Sequence, residues 1–307
     1  MTEPTPTLPP PASPAHGILH GPNGLRAGWR VLIFLLIVAG QFVALFAVTF
    51  LAHARPSAAN ATMLTPLGLG LSEGIILVFA SIAALIMGRI EHRPFGDYGL
   101  PAKYALGSHF WTGVLVGFVS ISACLLVIFA LHGFRISGFA ISGATILTST
   151  LAWTLTFLIV GLSEEFAFRG YMQFTLTTGI GFWPAAIFLS LSFGLAHAGN
   201  PGETKMGLLS VVCFGLLFCL FLRRTGNLWW AVGFHAGWDW GQTFFYGVHD
   251  SGIPAYHNLL NSSFDGPSWL TGGSVGPEAS VFTPIALGMV AILFSRRYRE
   301  NRYRPLA

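Results

Sequence analysis

The chain has 307 residues, 53% hydrophobic and only 9% charged, with a formal net charge of +4. Soluble domains carry about 25% charged residues, so a water-surrounded globule is excluded, and the basic residues flanking apolar runs are no nucleic-acid signature. Cys124, Cys213 and Cys219 lie inside apolar stretches at no metal-ligand spacing, so they form no disulfide framework and read as small hydrophobes facing lipid or core.

Residues 1–25 are rich in proline and poor in apolar groups, so a disordered tail is expected, ending near residue 28. Apolar runs follow at 30–52, 67–88, 111–131, 148–172, 182–200, 206–222, 228–247 and 281–295. A membrane-crossing helix needs about 20 residues, so these runs predict an all-α, polytopic transmembrane bundle of about eight spans. The first is too long for a signal peptide and reads as a retained span. The expected organisation is a tail (1–28), two spans and a loop (29–110), a core (111–247), a loop (248–280), and a last span with a basic tail (281–307). With the N-terminus cytoplasmic, thirteen Lys and Arg residues fall on inside segments and only Arg55, Arg135 and Lys205 outside. Basic residues favour the cytoplasmic side, so both termini are expected there. Loop 248–280 has no Lys or Arg, as suits an outside loop. Glu73, in GLSEGII, reads as a solvated or capped helix end. His16, His20, His53, His92, His109, His132, His249 and His257 read as solvated.

The informative stretch is GLSEEFAFRGYMQ, residues 161–173. An ionisable residue inside a membrane span marks a functional site by default. Glu165 and Arg169 are spaced i, i+4 and share a helix face, where they can pair. Glu164 lies about 100° round the helix from Glu165. One carboxylate is therefore held by an arginine and the other aimed elsewhere, which suits a reactive Glu164 and a structural Glu165. Phe193 and His197, and His235 and Asp239, repeat the i, i+4 spacing. At about 1.5 Å per residue, Glu164 lies about 12 Å from the cytoplasmic end of its span, His235 and Asp239 about 10–17 Å, and His197 about 22 Å. Four polar side chains on three helices can thus meet in one cavity, with His197 the outlier in depth.

These stretches resemble a known family. EEFAFRG is similar to the EExxxR motif, FGLAH to FxxxH and HAGWD to HxxxN/D of the CPBP family, the type II CAAX-prenyl-endopeptidase-like membrane proteases that include bacteriocin-processing and immunity-type proteins. The resemblance covers about residues 110–245. It implies an eight-helix fold with an active site within the membrane, opening to the cytoplasm in the eukaryotic and archaeal members. It implies that Glu164 and His197 activate a water and that His235 and Asp239 stabilise the oxyanion, with Glu165, Arg169 and Phe193 in support. Asp239 departs from the Asn of the CAAX-cleaving enzymes. An ionised Asp donates no hydrogen bond, so Asp239 can instead orient His235 as an acceptor, stay protonated or ligate a metal. Glu164, His197 and His235 also offer ligands for zinc with an open position for water, although no HExxH helix accompanies them.

The expected function is an intramembrane endopeptidase cleaving a membrane-associated or lipidated, CAAX-like peptide substrate with no nucleic-acid partner. The expected place is the lipid bilayer of a bacterial inner membrane. Two other classes compete. A proton-coupled transporter also uses membrane Glu and His chains, but no internal repeat supports it. A non-catalytic immunity or scaffold protein of the same fold would not need the complete motif set.

Overall fold

The computed structural model describes residues 17–21, 24–52 and 63–306. The expected disordered tail falls mostly outside them, as do His16, His53 and Arg55. At its described end, His20–Gly21 (β1) pairs with Gly24–Leu25 (β2) just before the first helix.

The helices follow the apolar runs. They are α1 (Ala27–Leu51), α2 (Pro66–Ile90), α3 (Ser108–Ala130), α4 (Ala144–Arg169), α5 (Tyr171–Ile180), α6 (Phe182–His197), α7 (Lys205–Thr225) and α8 (Trp229–Asp239). Short α9 (Ser268–Thr271) and α10 (Phe282–Arg297) complete the chain. Local chemistry sets the ends. Thr65 and Thr204 cap α2 and α7 by accepting the backbone N–H of Gly68 and Gly207, each at 3.1 Å. Pro66 occupies the first turn of α2, where its missing N–H costs nothing. Gly170 breaks α4 from α5. Among the described residues, five stretches are long and apolar enough to cross a membrane: α1, α2, α3, α7 and the joined Ala144–Ile180. The other three expected spans correspond to shorter helices, α6 and α10 of 16 residues each and α8 of 11 residues, the last continued by a π-helical turn at Trp240–Phe245.

Helix α3 lies along α8 on a seam of glycines. Gly113 and Gly117 face Gly233 and Gly237. A Cβ on any of the four would overlap a carbonyl oxygen of the opposite helix, those of Trp230, Phe234, Phe110 and Val114 in turn. Apolar side chains gain little by leaving lipid for another helix, so close backbone contact of this GxxxG kind supplies the packing. The seam fixes α8, which carries two of the polar residues. Gly161 does the same for α4 against α8, since a Cβ there would sit 2.8 Å from the carbonyl oxygen of Val232.

The bundle has two unlike ends. At one, Arg30 and Glu91 pair, and the C-terminal tail folds back so that the N–H groups of Arg302 and Tyr303 donate to the carbonyl of Arg223. The Lys and Arg residues that flank the spans gather here, so we call it the arginine end. At the other, a strand at Phe134–Phe139 (β3) pairs antiparallel with Leu260–Phe264 (β4). Residues 248–280 fold over this loop end and bond Leu64 to Pro254 and Tyr256. Two features add to the sequence expectation. α5 is a separate helix, because the chain turns at Gly170 rather than crossing directly into α6. The loop 248–280 is structured, because β3 gives it a strand to pair with.

Candidate active site

The site is built on α4. Glu165 is fully buried and its Oε1 accepts from Arg169 Nη1 at 3.4 Å, the i, i+4 contact. The Arg169 guanidinium is also fully buried, and Nε and Nη2 have no hydrogen-bond partner. Aromatic faces take their place. Its central carbon lies 4.3 Å from the ring centre of Phe193 and 5.7 Å from those of Phe168 and Phe218. Space for it comes from α7, where a Cβ on Gly215 would lie 2.6 Å from Nη2. Phe193, the aromatic residue of the FGLAH stretch, thus packs on the arginine of the EEFAFRG stretch.

The same Glu165 oxygen has a second partner, a histidine. His235 Nδ1 lies 3.1 Å from Glu165 Oε1. With Nδ1 held there, Nε2 points at Glu164 Oε2 (3.6 Å) and Asp239 Oδ2 (3.4 Å). The ring stacks on Phe218 at 5.3 Å between centres, which fixes its plane. Glu165 therefore joins Arg169 to His235, a link that i, i+4 spacing within one helix could not reveal. Asp239 stands as an acceptor beside His235. Of the two α4 carboxylates, Glu164 is the open one, with 22% of its side chain exposed against 0% for Glu165.

His197 stands apart. Its Nδ1 lies 2.9 Å from the carbonyl oxygen of Phe193, and its ring meets Phe193 edge-on at 4.6 Å. Among the described residues no ion pair joins it to Glu164. It nevertheless lines the same cavity of about 370 Å³ as Glu164, His235 and Asp239. The larger depth read from the sequence is reflected here, since His197 ends its helix while His235 sits mid-helix.

The cavity adds residues that the motifs did not indicate. Glu73 lines it, and its Oε2 is buried without a hydrogen-bond partner. The reading of Glu73 as a solvated or capped helix end is thereby corrected. Helix α2 packs against α4 and turns Glu73 inward. Its signal was an acid in an apolar span, the same cue that marked Glu164. Asp250 and Glu278, from the loop, line it as well. Asp250 Oδ2 accepts from Thr243 at 2.9 Å, and Glu278 Oε2 accepts from the Ser251 backbone at 3.1 Å. Burial, reinforced by Asp250, pushes the Glu278 carboxyl up to about 8. Burial likewise raises Asp250. His109 departs from its solvated reading: it is half-buried, 3.4 Å from the Asn227 amide.

Zinc does not fit the expected triad. Among the described residues no group of three or more His, Cys, Asp or Glu side chains is placed to hold a metal ion. Glu164 and His235 approach each other, but His197 Nδ1 is tied to Phe193 and the ring ends another helix.

Residues 146–241 match the family described as type II CAAX prenyl endopeptidase Rce1-like. The matched stretch contains Glu164, Glu165, Arg169, Phe193, His197, His235 and Asp239. No curated protein matches the chain.

Proposed function

With residues 146–241 an Rce1-like domain of the CPBP protease family, we propose that the chain is an intramembrane endopeptidase that hydrolyses a peptide bond with water activated by Glu164. The observation that carries this reading is the placement of an open carboxylate, two histidines and an aspartate on the wall of one cavity inside the helical bundle.

The roles follow from what each atom touches. Arg169 and Glu165 hold His235 by Nδ1, so they are positioning residues. Glu164 Oε2 takes a proton from a water in the cavity. The hydroxide oxygen bonds to the scissile carbonyl carbon, and the carbonyl π pair moves to oxygen. The Nε2–H of His235 on the cavity wall stabilises that oxyanion, a contribution worth roughly 10²–10³ in rate, while His197, its Nδ1–H donated to the Phe193 carbonyl, offers its bare Nε2 as an acceptor to the attacking water. Glu164 then gives its proton to the amide nitrogen as the C–N bond breaks, leaving a carboxylic acid and an amine. Asp239 accepts from His235 and keeps its Nε2–H on the cavity side, which an Asn would do through its own carbonyl oxygen. The substrate is a membrane-associated or lipidated peptide, and the place of action a bacterial cell membrane.

The test is cleavage in detergent by the purified chain of a panel containing a farnesylated CAAX peptide and unlipidated apolar peptides. The expected result is cleavage of at least one peptide by the parent and none by a folded Glu164→Gln variant. Equal rates from the two proteins would refute the assignment.

A further inference from the structure

Helix α2 approaches α4 closely near its first turn. The Thr156 hydroxyl donates to the Pro66 carbonyl at 2.9 Å, and a Cβ on Gly70 would lie 3.4 Å from Thr156 Oγ1. Seven residues further along each helix, about 10.5 Å of rise, Glu73 stands level with Ser163, whose hydroxyl is fully buried beside it. Glu164 is the next residue, and both glutamates line the cavity. The other acids on that wall have partners. Glu164 and Asp239 face His235 Nε2 at 3.6 and 3.4 Å, Asp250 accepts from Thr243 at 2.9 Å, and Glu278 accepts from Ser251 at 3.1 Å. Glu73 forms no ion pair among the described residues, and its Oε2 is buried without a hydrogen-bond partner.

A carboxylate without a counter-charge inside a span is costly and marks a function. What the cavity does not itself supply is a fixed cation. Among the described residues no Lys or Arg lines it. Arg169 is paired with Glu165 and enclosed by Phe168, Phe193 and Phe218. The surroundings of Glu73 fit the rest of a basic side chain. Leu69, Glu73 and Ile76 are spaced i, i+4, i+7 on one face of α2, and all three line the cavity with Phe157 and Val160 of α4. Lys and Arg lay their alkyl stems along such apolar surface while the charged head meets a polar partner. We propose that Glu73 determines specificity: its carboxylate binds the ammonium or guanidinium group of a Lys or Arg residue that lies close to the scissile bond. The substrate class narrows to a membrane-associated peptide in which a basic residue adjoins an apolar run. That the peptide is cleaved rests on the function proposed above, whereas its binding rests on Glu73 and the cavity alone.

The test uses apolar peptides that carry a single Lys, norleucine or Glu at each position in turn, since norleucine keeps the lysine stem and lacks the ammonium. Fluorescein-labelled forms are titrated with the purified Glu164→Gln chain in non-ionic detergent, and unlabelled forms are incubated with the parent to follow cleavage. Lys should be favoured over norleucine at one position or more by about ten- to hundredfold in Kd, the worth of a hydrogen bond to a charged group, with Glu disfavoured there. Adding Glu73→Gln should bring the Lys-to-norleucine ratio close to one. Adding Glu73→Lys instead should turn the preference towards Glu, a gain that a misfolded chain cannot show. Equal affinity for Lys and norleucine peptides in the protein that keeps Glu73, or a Lys preference that survives Glu73→Gln, would overturn the proposal. A Glu73-dependent Lys preference with no cleavage of any peptide by the parent would end the protease reading and leave the role of Glu73 intact. Cleavage that depends on Glu164 without any Lys preference would do the reverse.

Discussion

Two carboxylate groups in this molecule look alike in sequence and differ in structure. Glu91, at the arginine end, is saturated. Arg30 donates to both of its oxygens, Tyr171 Oη lies at 2.6 Å and Tyr98 Oη at 3.3 Å. Glu164, on the cavity wall, meets His235 Nε2 at 3.6 Å and faces open space. A saturated carboxylate ties helices together, here α1, α2 and α5. A carboxylate with spare lone pairs and room beside it can take a proton from a substrate water. The adjacent Glu164 and Glu165 repeat the contrast side by side, and Glu165 is the tied one. It is spent on Arg169 and His235 so that Glu164 need not be.

That contrast predicts opposite outcomes for the same chemical change. Glu164→Gln should lower the cleavage rate by about 10²–10⁴-fold, the usual worth of a positioned base, with an unchanged melting temperature. A variant that loses stability in step with activity would erase the distinction. Glu91→Gln should do the converse. It leaves Arg30 without its counter-charge in a half-buried place, a loss of about 1–3 kcal/mol in stability, read as a lower melting temperature in detergent. Activity per folded molecule should be kept. Asp239→Asn sharpens the picture at smaller scale. Asn can still accept from His235 Nε2, so the change should stay near the worth of one hydrogen bond, about 0.5–1.5 kcal/mol or roughly tenfold in rate. A loss as large as that of Glu164→Gln would make Asp239 a reacting group.

The smallest effect concerns the loop side of the cavity. The Glu278 carboxyl is raised from its ordinary 4.5 to about 8 by burial and by Asp250. A raised folded-state pKa means that the folded protein holds the proton more tightly than the unfolded chain. The stability it contributes is complete below about 4.5 and is lost as pH rises through about 8. Melting temperature should therefore fall between about pH 4.5 and 8, and Glu278→Gln should flatten that fall. An equal pH dependence in the variant would remove Glu278 as its source.

The apolar runs made the helices legible, because a 20-residue stretch without charge has few alternatives to a span. Spacing also showed which side chains share a helix face, as with Glu165 and Arg169. It could not show which helices touch. The Glu165–His235 bond joins residues seventy apart, and it depends on Gly161 and on the α3–α8 glycine seam, whose residues look unremarkable in a chain with 37 glycines. Glu73 was visible as a buried-looking acid but was read as a helix end, because only packing of α2 on α4 turns it into the cavity. The structured loop 248–280 was hidden because β3 and β4 are about 120 residues apart and pair only once the bundle has formed.

The central claim is that Glu164 and His235 act on one reaction from one cavity. A double-mutant cycle tests it most directly, with single-turnover cleavage measured for the parent, Glu164→Gln, His235→Gln and the double variant. Residues that act as a unit are non-additive. The double variant should therefore cleave no more slowly than the worse single variant. Losses that multiply would contradict the account, because they would mean that the two side chains serve separate steps or separate places.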